Sequence, residues 1–276
     1  MDKNAAAQIE TIKTWVTTQE HLPEITDHDI HTFLHSNYYD VEKTKSTNRK
    51  LLHFWAPVCK GTFSDLDVLS KELQSTMAVV EMIFPPQPTP EGYKLAIFRF
   101  ATTDASKFNV YSATKYASLC LDQWLKEDGL IEGHIIIYDL AGCHLGQLAR
   151  LRFFPVKNYF YFVQEALPIR MKEMHFANIP SIMDKILLFL KPFMKRELLD
   201  VMHLHTTNES LLKVIPANCL PNEYGGTAGP FKQFKDEFQA KLLANRDAIL
   251  QAEMEQRVDE SKRASRGYGL FNMFRK

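Results

Sequence analysis

The widest apolar surface in the chain falls in residues 178–201, NIPSIMDKILLFLKPFMKRELLDV. At 100° per residue, Asp184, Lys191 and Lys195 stack on one narrow stripe, and Leu188 falls on that polar side. Ile182, Met183, Ile186, Leu187, Phe189, Leu190, Phe193 and Met194 take most of the remaining circumference. A helix that rests one face on a core needs a narrower apolar stripe. This one is therefore expected to be buried on both sides or to meet a second apolar partner. Pro180 or Ser181 can open the helix, and Pro192 removes a backbone donor and breaks or kinks it. The pattern fits a core helix; it also fits a lid over an apolar cavity, hinged near Pro192.

The remaining elements follow the same periodicities. Ile9, Ile12, Trp15 and Val16 recur at helical spacing up to Pro23. Thr26 or Asp27 caps a helix over 29–37, and Asp40-Val41 opens another that runs to Leu51, Leu52 and Trp55. Residues 64–84 read as a further apolar-rich helical segment. PPQPTPEG then puts Pro85, Pro86, Pro88 and Pro90 where neither a helix nor a central strand tolerates them, and marks a boundary. Beyond it, YKLAIFRF at 93–100 and HIIIYDL at 134–140 read as buried strands, with a long amphipathic helix over 108–127 between them. An aromatic helix is expected over 151–166, a short strand over 174–179, and another over 201–205. Strand–helix alternation predicts an α/β domain with a mostly parallel sheet. Its helices are more aromatic than sheet cover requires, which a cavity lined by large apolar groups would explain. A charged helix is expected over 231–262. The tail, residues 262–276, mixes five basic residues with Tyr268, Leu270, Phe271, Met273 and Phe274. The expected division is a helical N-terminal module (1–84), the α/β domain (85–235), and a C-terminal helix with a basic, aromatic tail (236–276).

Charge and chemistry narrow the function. Lysine plus arginine equals aspartate plus glutamate, 33 against 33 over 276 residues, so no net field attracts nucleic acid. No apolar run approaches the roughly 18 residues of a membrane span, and the charged N-terminus is unlike a signal peptide. Cys59, Cys120, Cys143 and Cys219 lie far apart and read as buried thiols of a reducing compartment. A cytoplasmic protein, transiently at membranes, is the expectation. GxSxG, Walker, GxGxxG and HExxH patterns are absent. Asp139 ends a strand without an identifiable histidine or serine partner, so no enzymatic function is expected, and no cofactor. His28, His31 and His35 share a helix face, but no carboxylate or thiolate completes a metal set. His203 and His205, on one strand, are expected on opposite sides and hence not as a chelating pair.

Several segments in register carry a family resemblance: GYKLAIFRF (92–100), GHIIIYDLAG (133–142), LPIRMKEMHFANIPSIMDKILLFLKPF (167–193), HLH (203–205) and LPNEYGG (220–226). With ITDHDIHTFLHSNYYDVEKT upstream, the chain resembles the CRAL-TRIO lipid-binding family over roughly residues 23–234, most closely its tocopherol- and retinaldehyde-binding branch. The resemblance implies a helical N-terminal module on an α/β bowl that holds one lipophilic molecule beneath a gate helix, here 178–201. It implies cytosolic binding and transfer of a retinoid, carotenoid, tocopherol or similar isoprenoid by a monomer, with release at a membrane. The alternatives are a phosphoinositide or phospholipid exchanger of the same fold, and an interaction module without a ligand.

Carried over position by position, the resemblance puts Tyr116, Leu119 and Cys120 in the pocket from the long helix, and His134, Tyr138 and Cys143 from the second strand and its end. Tyr159, Phe162, Val163, Leu167, Ile169, Met171 and Met174 would form the next wall. Met183, Ile186, Phe189 and Leu190 would face inward from the gate. Of the family's basic cluster for phosphoinositide head groups, Arg170 and Lys172 match. Other positions fall on His35, Glu197 and Val201, with Lys195 and Arg196 as substitutes, so a general positive patch for a membrane surface is expected.

Overall fold

A computed structural model describes residues 3–23, 25–54, 64–255, 259 and 262. Three helices open it: α1 (Lys3–Thr17), α2 (Asp27–Ser36) and α3 (Val41–Phe54). Their common core is Ile9 and Ile12 of α1 against Ile30 and Leu34 of α2. A capping box starts α2: the Asp29 amide donates to Thr26 Oγ1, and the Thr26 amide donates to the Asp29 carboxylate. Tyr38 and Tyr39 reverse the chain into α3 with φ of 54° and 61°, a left-handed conformation rare for aromatic residues.

The sheet has five strands in sequential order: β1 (Val80–Ile83), β2 (Tyr93–Phe100), β3 (Gly133–Asp139), β4 (Met171–Ala177) and β5 (Met202–Leu204). β1 runs antiparallel to β2; all other pairs are parallel. The helices are α4 (Lys71–Met77), α5 (Val110–Asp128), α6 (Leu145–Leu148), α7 (Phe153–Tyr161), α8 (Met183–Leu190), α9 (Arg196–Asp200), α10 (Asn208–Leu212), α11 (Phe231–Ala244) and α12 (Arg246–Glu255). Successive side chains of β2 and β3 point to opposite faces. Leu95, Ile97, Ile135 and Ile137 pack with Leu220, Tyr224 and Phe231 on one face. Ala96, Phe98 and Ile136 pack with Tyr116, Leu119 and Trp124 of α5 on the other. Burial on both faces is why these strands read as unbroken apolar runs.

The observed elements correct several expectations. Only Lys71–Met77 of the 64–84 segment is an α-helix, while Val80–Ile83 is a strand, so the four prolines lie in the β1–β2 connection. Four residues, all buried, are too few to separate strand from helix by period, and pairing with β2 decides. The aromatic helix at 151–166 is α7 followed by a π-helical turn, Phe162–Ala166. The gate segment is three pieces: α8, a 3-10 turn Lys191–Phe193 that accommodates Pro192 near its start, and α9. Of the two outcomes expected at Pro192, a break or a kink, the structure has the break. The charged C-terminal helix divides at Asn245 into α11 and α12. Trp55, Cys59 and the aromatic residues of the tail fall outside the described residues.

His203 and His205 were expected on opposite sides, yet both lie against His175: His203 stacks on its ring at 4.9 Å, and His205 Nε2 is 2.8 Å from His175 Nδ1. Residues i and i+2 of a strand share a face, which is the reason. Among the described residues no group of histidines, cysteines and carboxylates has metal-binding geometry.

Two glycines show how the 220–226 turn closes. Gly225 adopts φ 79°, and a Cβ on Gly226 would stand 1.9 Å from the Leu220 carbonyl oxygen. This turn seats Tyr224, whose hydroxyl donates to Asp139 Oδ2 at 2.8 Å. Tyr224→Phe is expected to lose about 1.5–3 kcal/mol of stability, because a buried carboxylate loses a hydrogen bond; urea unfolding measures it. Acid should destabilise the fold for a separate reason. Burial, with His205 and His203 beside it, pushes His175 down to about 3; burial does the same to His134. Each folded pKa lies below the unfolded value of about 6.5, so the unfolded state binds more protons and stability falls as pH drops below 6.5. Between pH 6.5 and 5 the expected loss is about 2 kcal/mol for each histidine, and His175→Asn or His134→Asn should flatten the slope.

Candidate functional site

Three aromatic rings at the same register build the floor of a cavity. Phe98, Tyr138 and Phe176 occupy adjacent positions on β2, β3 and β4. Their rings stack at 5.1 and 5.4 Å, with interplanar angles of 29° and 24°. Above them lies a cavity of about 200 Å³, walled by α5 (Val110, Ala113, Ala117), α7 (Val156, Tyr159, Phe160) and α8 (Ile186, Leu190). Cys143, Leu148 and Leu151 close the side between β3 and α7.

The polar residues in this wall spend their polar ends elsewhere. Arg99 Nε donates to Glu81 at 2.7 Å, Thr114 Oγ1 to the Val110 carbonyl, and Gln147 Nε2 to the Thr103 carbonyl. Asp139 accepts from Tyr224, Asn178 and the Ala141 amide. What the lining keeps for itself is one phenol pair, Tyr138 and Tyr159, with hydroxyls 3.1 Å apart. Burial pushes the Tyr138 phenol up to about 12 and raises Tyr159 as well, so both are neutral hydrogen-bonding groups at physiological pH. Two hydroxyls carry two protons and share one between them, which leaves a donor for a further acceptor.

α8 roofs this space. Ile186 and Leu190 reach the cavity wall, Met183 and Leu187 are buried in the same apolar cluster as Phe176 and Val156, and Leu188 is 78% exposed. A run of edge-to-face rings leads from the gate to the surface: Phe189 to Phe193 at 5.7 Å, Phe193 to Phe153 at 5.0 Å, and Phe153 to Phe154 at 5.4 Å. Phe154 is 69% exposed. Exposed Lys185 and Lys191 lie on α8 and at its end. An apolar rim flanked by cations faces outward at the gate.

The expected site residues divide by location. Tyr138, Cys143, Tyr159, Ile186 and Leu190 meet at the cavity. Tyr116, Leu119, Cys120 and Phe162 sit in the core between α5 and the sheet, and burial raises the Tyr116 phenol and the Cys120 thiol. His134 lies near the start of β3, edge-on to Trp124 at 5.2 Å. Met174 and Met183 are buried beside the gate, and Phe189 is half-buried in the ring series. Val163, Leu167, Ile169 and Met171 instead border a second cavity of about 370 Å³, between α3 and the 195–201 segment. Phe98, Phe176, Val110, Val156 and Phe160 line the first cavity and were not among the expected residues. Strand period alone places Phe98 and Phe176 on one face of their strands, but only the register aligns them with Tyr138.

The basic residues also separate. Arg170 Nε donates to the His35 carbonyl at 2.8 Å, pairs with Glu132, and lies 4.4 Å over the Tyr38 ring. Lys172 Nζ reaches Tyr38 Oη at 3.2 Å. Lys195 pairs with Glu165 and borders the second cavity. Arg196 is exposed, with Asp200 at 3.8 Å. That second cavity also meets Lys43 and Lys50, and burial lowers both Lys50 and Lys195, the latter further because Lys50 is near. Among the described residues no helix is long and apolar enough to cross a membrane.

Comparison with known proteins agrees with this architecture. A family model for the CRAL/TRIO domain matches residues 78–226, more than half of the chain, and a model for a Pinta-like UBA domain matches residues 1–73. The chain is 30% identical over 164 residues to the Alpha-tocopherol transfer protein-like protein of Mus musculus, covering 59% of this chain and 47% of that protein. It is 28% identical over 142 residues to Clavesin-1 of Xenopus laevis, covering 51% and 43%. It thus spans about half the length of these curated relatives. The crystal structure of Sfh5 shares the fold, with a TM-score of 0.57 at 12% identity over 90% of this chain and 98% of that one. The extent of the CRAL/TRIO match, on a sheet and gate built in the order that the motifs predict, shows that this chain belongs to the CRAL/TRIO family.

Proposed function

We propose that this protein is a cytoplasmic, monomeric, non-catalytic carrier that encloses one small hydrophobic molecule and delivers it to membranes. The ligand class is a retinoid, carotenoid, tocopherol or related isoprenoid. The observation that carries this reading is the apolar cavity under α8, whose charged, amide and Thr114 side chains are turned to other partners while the Tyr138–Tyr159 pair faces it. A site built this way holds an apolar body and one oxygen. A ligand longer than the cavity extends it by displacing Ile186 and Leu190, the gate side chains in its wall. The name of the tocopherol transfer protein-like relative supports the same class.

Transfer follows from apolar burial. At about 25 cal/mol per Å², enclosing several hundred Å² of ligand opposes its escape into water by several kcal/mol. A membrane that accepts both the ligand and the gate's outer rim, Phe153, Phe154 and Leu188, removes most of that cost. Lys185 and Lys191, exposed at the gate, favour an anionic surface, including phosphoinositide head groups, whereas Lys50 and Lys195 of the second cavity are already paired with Glu165. Arg170 and Lys172 contribute less to it, since His35, Glu132 and Tyr38 already engage them.

Native mass spectrometry of the purified protein, followed by solvent extraction, tests the reading. A stoichiometric isoprenoid is the expected result; a phospholipid would replace it with an exchanger, and an empty protein that takes up neither retinoids nor tocopherols would overturn it. Ile186→Asp, which places a carboxylate at the cavity wall, should reduce loading at least tenfold, measured by quenching of tryptophan fluorescence. Phe154→Asp with Leu188→Asp should leave loading within about twofold and slow transfer to anionic vesicles about tenfold.

A further inference from the structure

The two ends of the gate are held differently. At its start, Asn178 takes φ 50° and its side-chain amide donates to Asp139 Oδ1 at 2.9 Å. α8 then begins at Ile182 without any side-chain cap. At its end, one side chain from another element grips the backbone twice. Gln164 Nε2 donates to the Phe193 carbonyl at 2.9 Å, and Gln164 Oε1 accepts from the Lys195 amide at 2.7 Å. The same Nε2 also donates to Phe160 at the end of α7. A single primary amide therefore satisfies the last carbonyl of the 3-10 turn and the first free amide beyond it, as a neighbouring strand would.

The next residue adds a second tie. Glu165 pairs with Lys195 at the gate's end and, at 2.5 Å, with Lys50 Nζ on α3. Both residues belong to the π-helical turn 162–166, where an extra residue in the helix re-aims successive side chains. The turn thus meets the gate's end on one side and the N-terminal helices on the other. Met194, between the two gripped backbone groups, is buried, as is Leu198 beyond them.

We infer that Gln164 is the positioning residue of the gate: its double grip fixes the end at Phe193–Lys195 as the hinge, and Glu165 ties that hinge to the N-terminal helical module through Lys50. Opening then swings α8, with Ile186 and Leu190, between two anchored roots, Asn178 and Lys195, while the walls from α5, α7 and the sheet stay in place. Loosening the grip lowers the cost of opening without altering what the closed cavity offers a ligand. Association and release therefore quicken together and affinity is unchanged. This assignment rests on the carrier reading for its consequence, but not for the grip itself.

The test uses Gln164→Ala and Gln164→Glu in the full chain, with Glu165→Gln as a separate variant. Hydrogen exchange on the ligand-free protein reads the hinge directly. Protection at Met194–Leu199 should fall about tenfold in Gln164→Ala, and less in Gln164→Glu, which keeps an acceptor for the Lys195 amide but has no donor for Phe193. With retinol as the fluorescent probe and phosphatidylcholine vesicles as acceptor, association and release should both rise about tenfold in Gln164→Ala, with Kd within twofold. Glu165→Gln should raise exchange both at the gate's end and around Lys50. Unchanged protection at Met194–Leu199, or a weaker Kd with unchanged association, would overturn the inference. Retinol that fails to bind the wild-type protein would count against the carrier reading, and exchange would still decide the hinge.

Discussion

A buried carboxylate sets the frame for everything around the cavity. Asp139 ends β3, and its two oxygens accept from three elements: the Ala141 amide just beyond the strand, the Asn178 side chain at the root of the gate, and the Tyr224 hydroxyl from the 220–226 turn. A charge in that position is tolerable only when several donors satisfy it. The requirement works in reverse on the chain, since the three donors must all converge on the end of one strand. Gly225 and Gly226 permit the turn that brings Tyr224 there, and the left-handed conformation of Asn178 lets the chain leave β4 toward α8. Asp139 is thereby engaged in structure by three donors.

From that frame the apolar surface of the gate acquires its meaning. α8 puts Met183, Ile186, Leu187 and Leu190 inward and leaves Leu188 in solvent beside a rim that continues through Phe193, Phe153 and Phe154. The inner side completes a cavity whose floor is a ladder of stacked rings, and the outer side presents rings and cations together. In the proposed carrier these two sides serve two moments of one cycle: the first shields the ligand from water, the second meets the bilayer that receives it. The neutral phenols of Tyr138 and Tyr159 suit this task, because a charged anchor would have to be desolvated each time the cavity filled.

The N-terminal helices are joined to this machinery by polar contacts. Lys50 of α3 meets Glu165, and Arg170 just before β4 and Lys172 on it hold the Tyr38 loop through its ring, its hydroxyl and the His35 carbonyl. Arg170, Lys172 and Lys195, which the family resemblance assigns to a head group, are in this chain engaged within the protein, at the junction between module and bowl and beside the second cavity.

Much of this was legible in the chain. The apolar runs at 93–100 and 134–140, the helix capped at Thr26 or Asp27 and the long helix within 108–127 each follow from local chemistry, because propensity, period and capping act over a few residues. The family motifs added the gate and its cavity. Other features depended on partners distant in the sequence. Val80–Ile83 became a strand through β2, and the 151–166 helix loosened into a π turn where Gln164 and Glu165 meet the gate and α3. Tyr116, Leu119 and Cys120 turned to the core while Val110, Ala113 and Ala117 of the same helix lined the cavity. Helical period defines which residues share a face, yet the crossing of α5 over the sheet decides which end of that face is covered by other side chains and which is left open. By itself, then, the sequence determined most of the elements and the apolar character of the gate. Tertiary structure decided the ring ladder, the phenol pair and the hinge, because register and packing bring together groups whose separation along the chain carries no local signal.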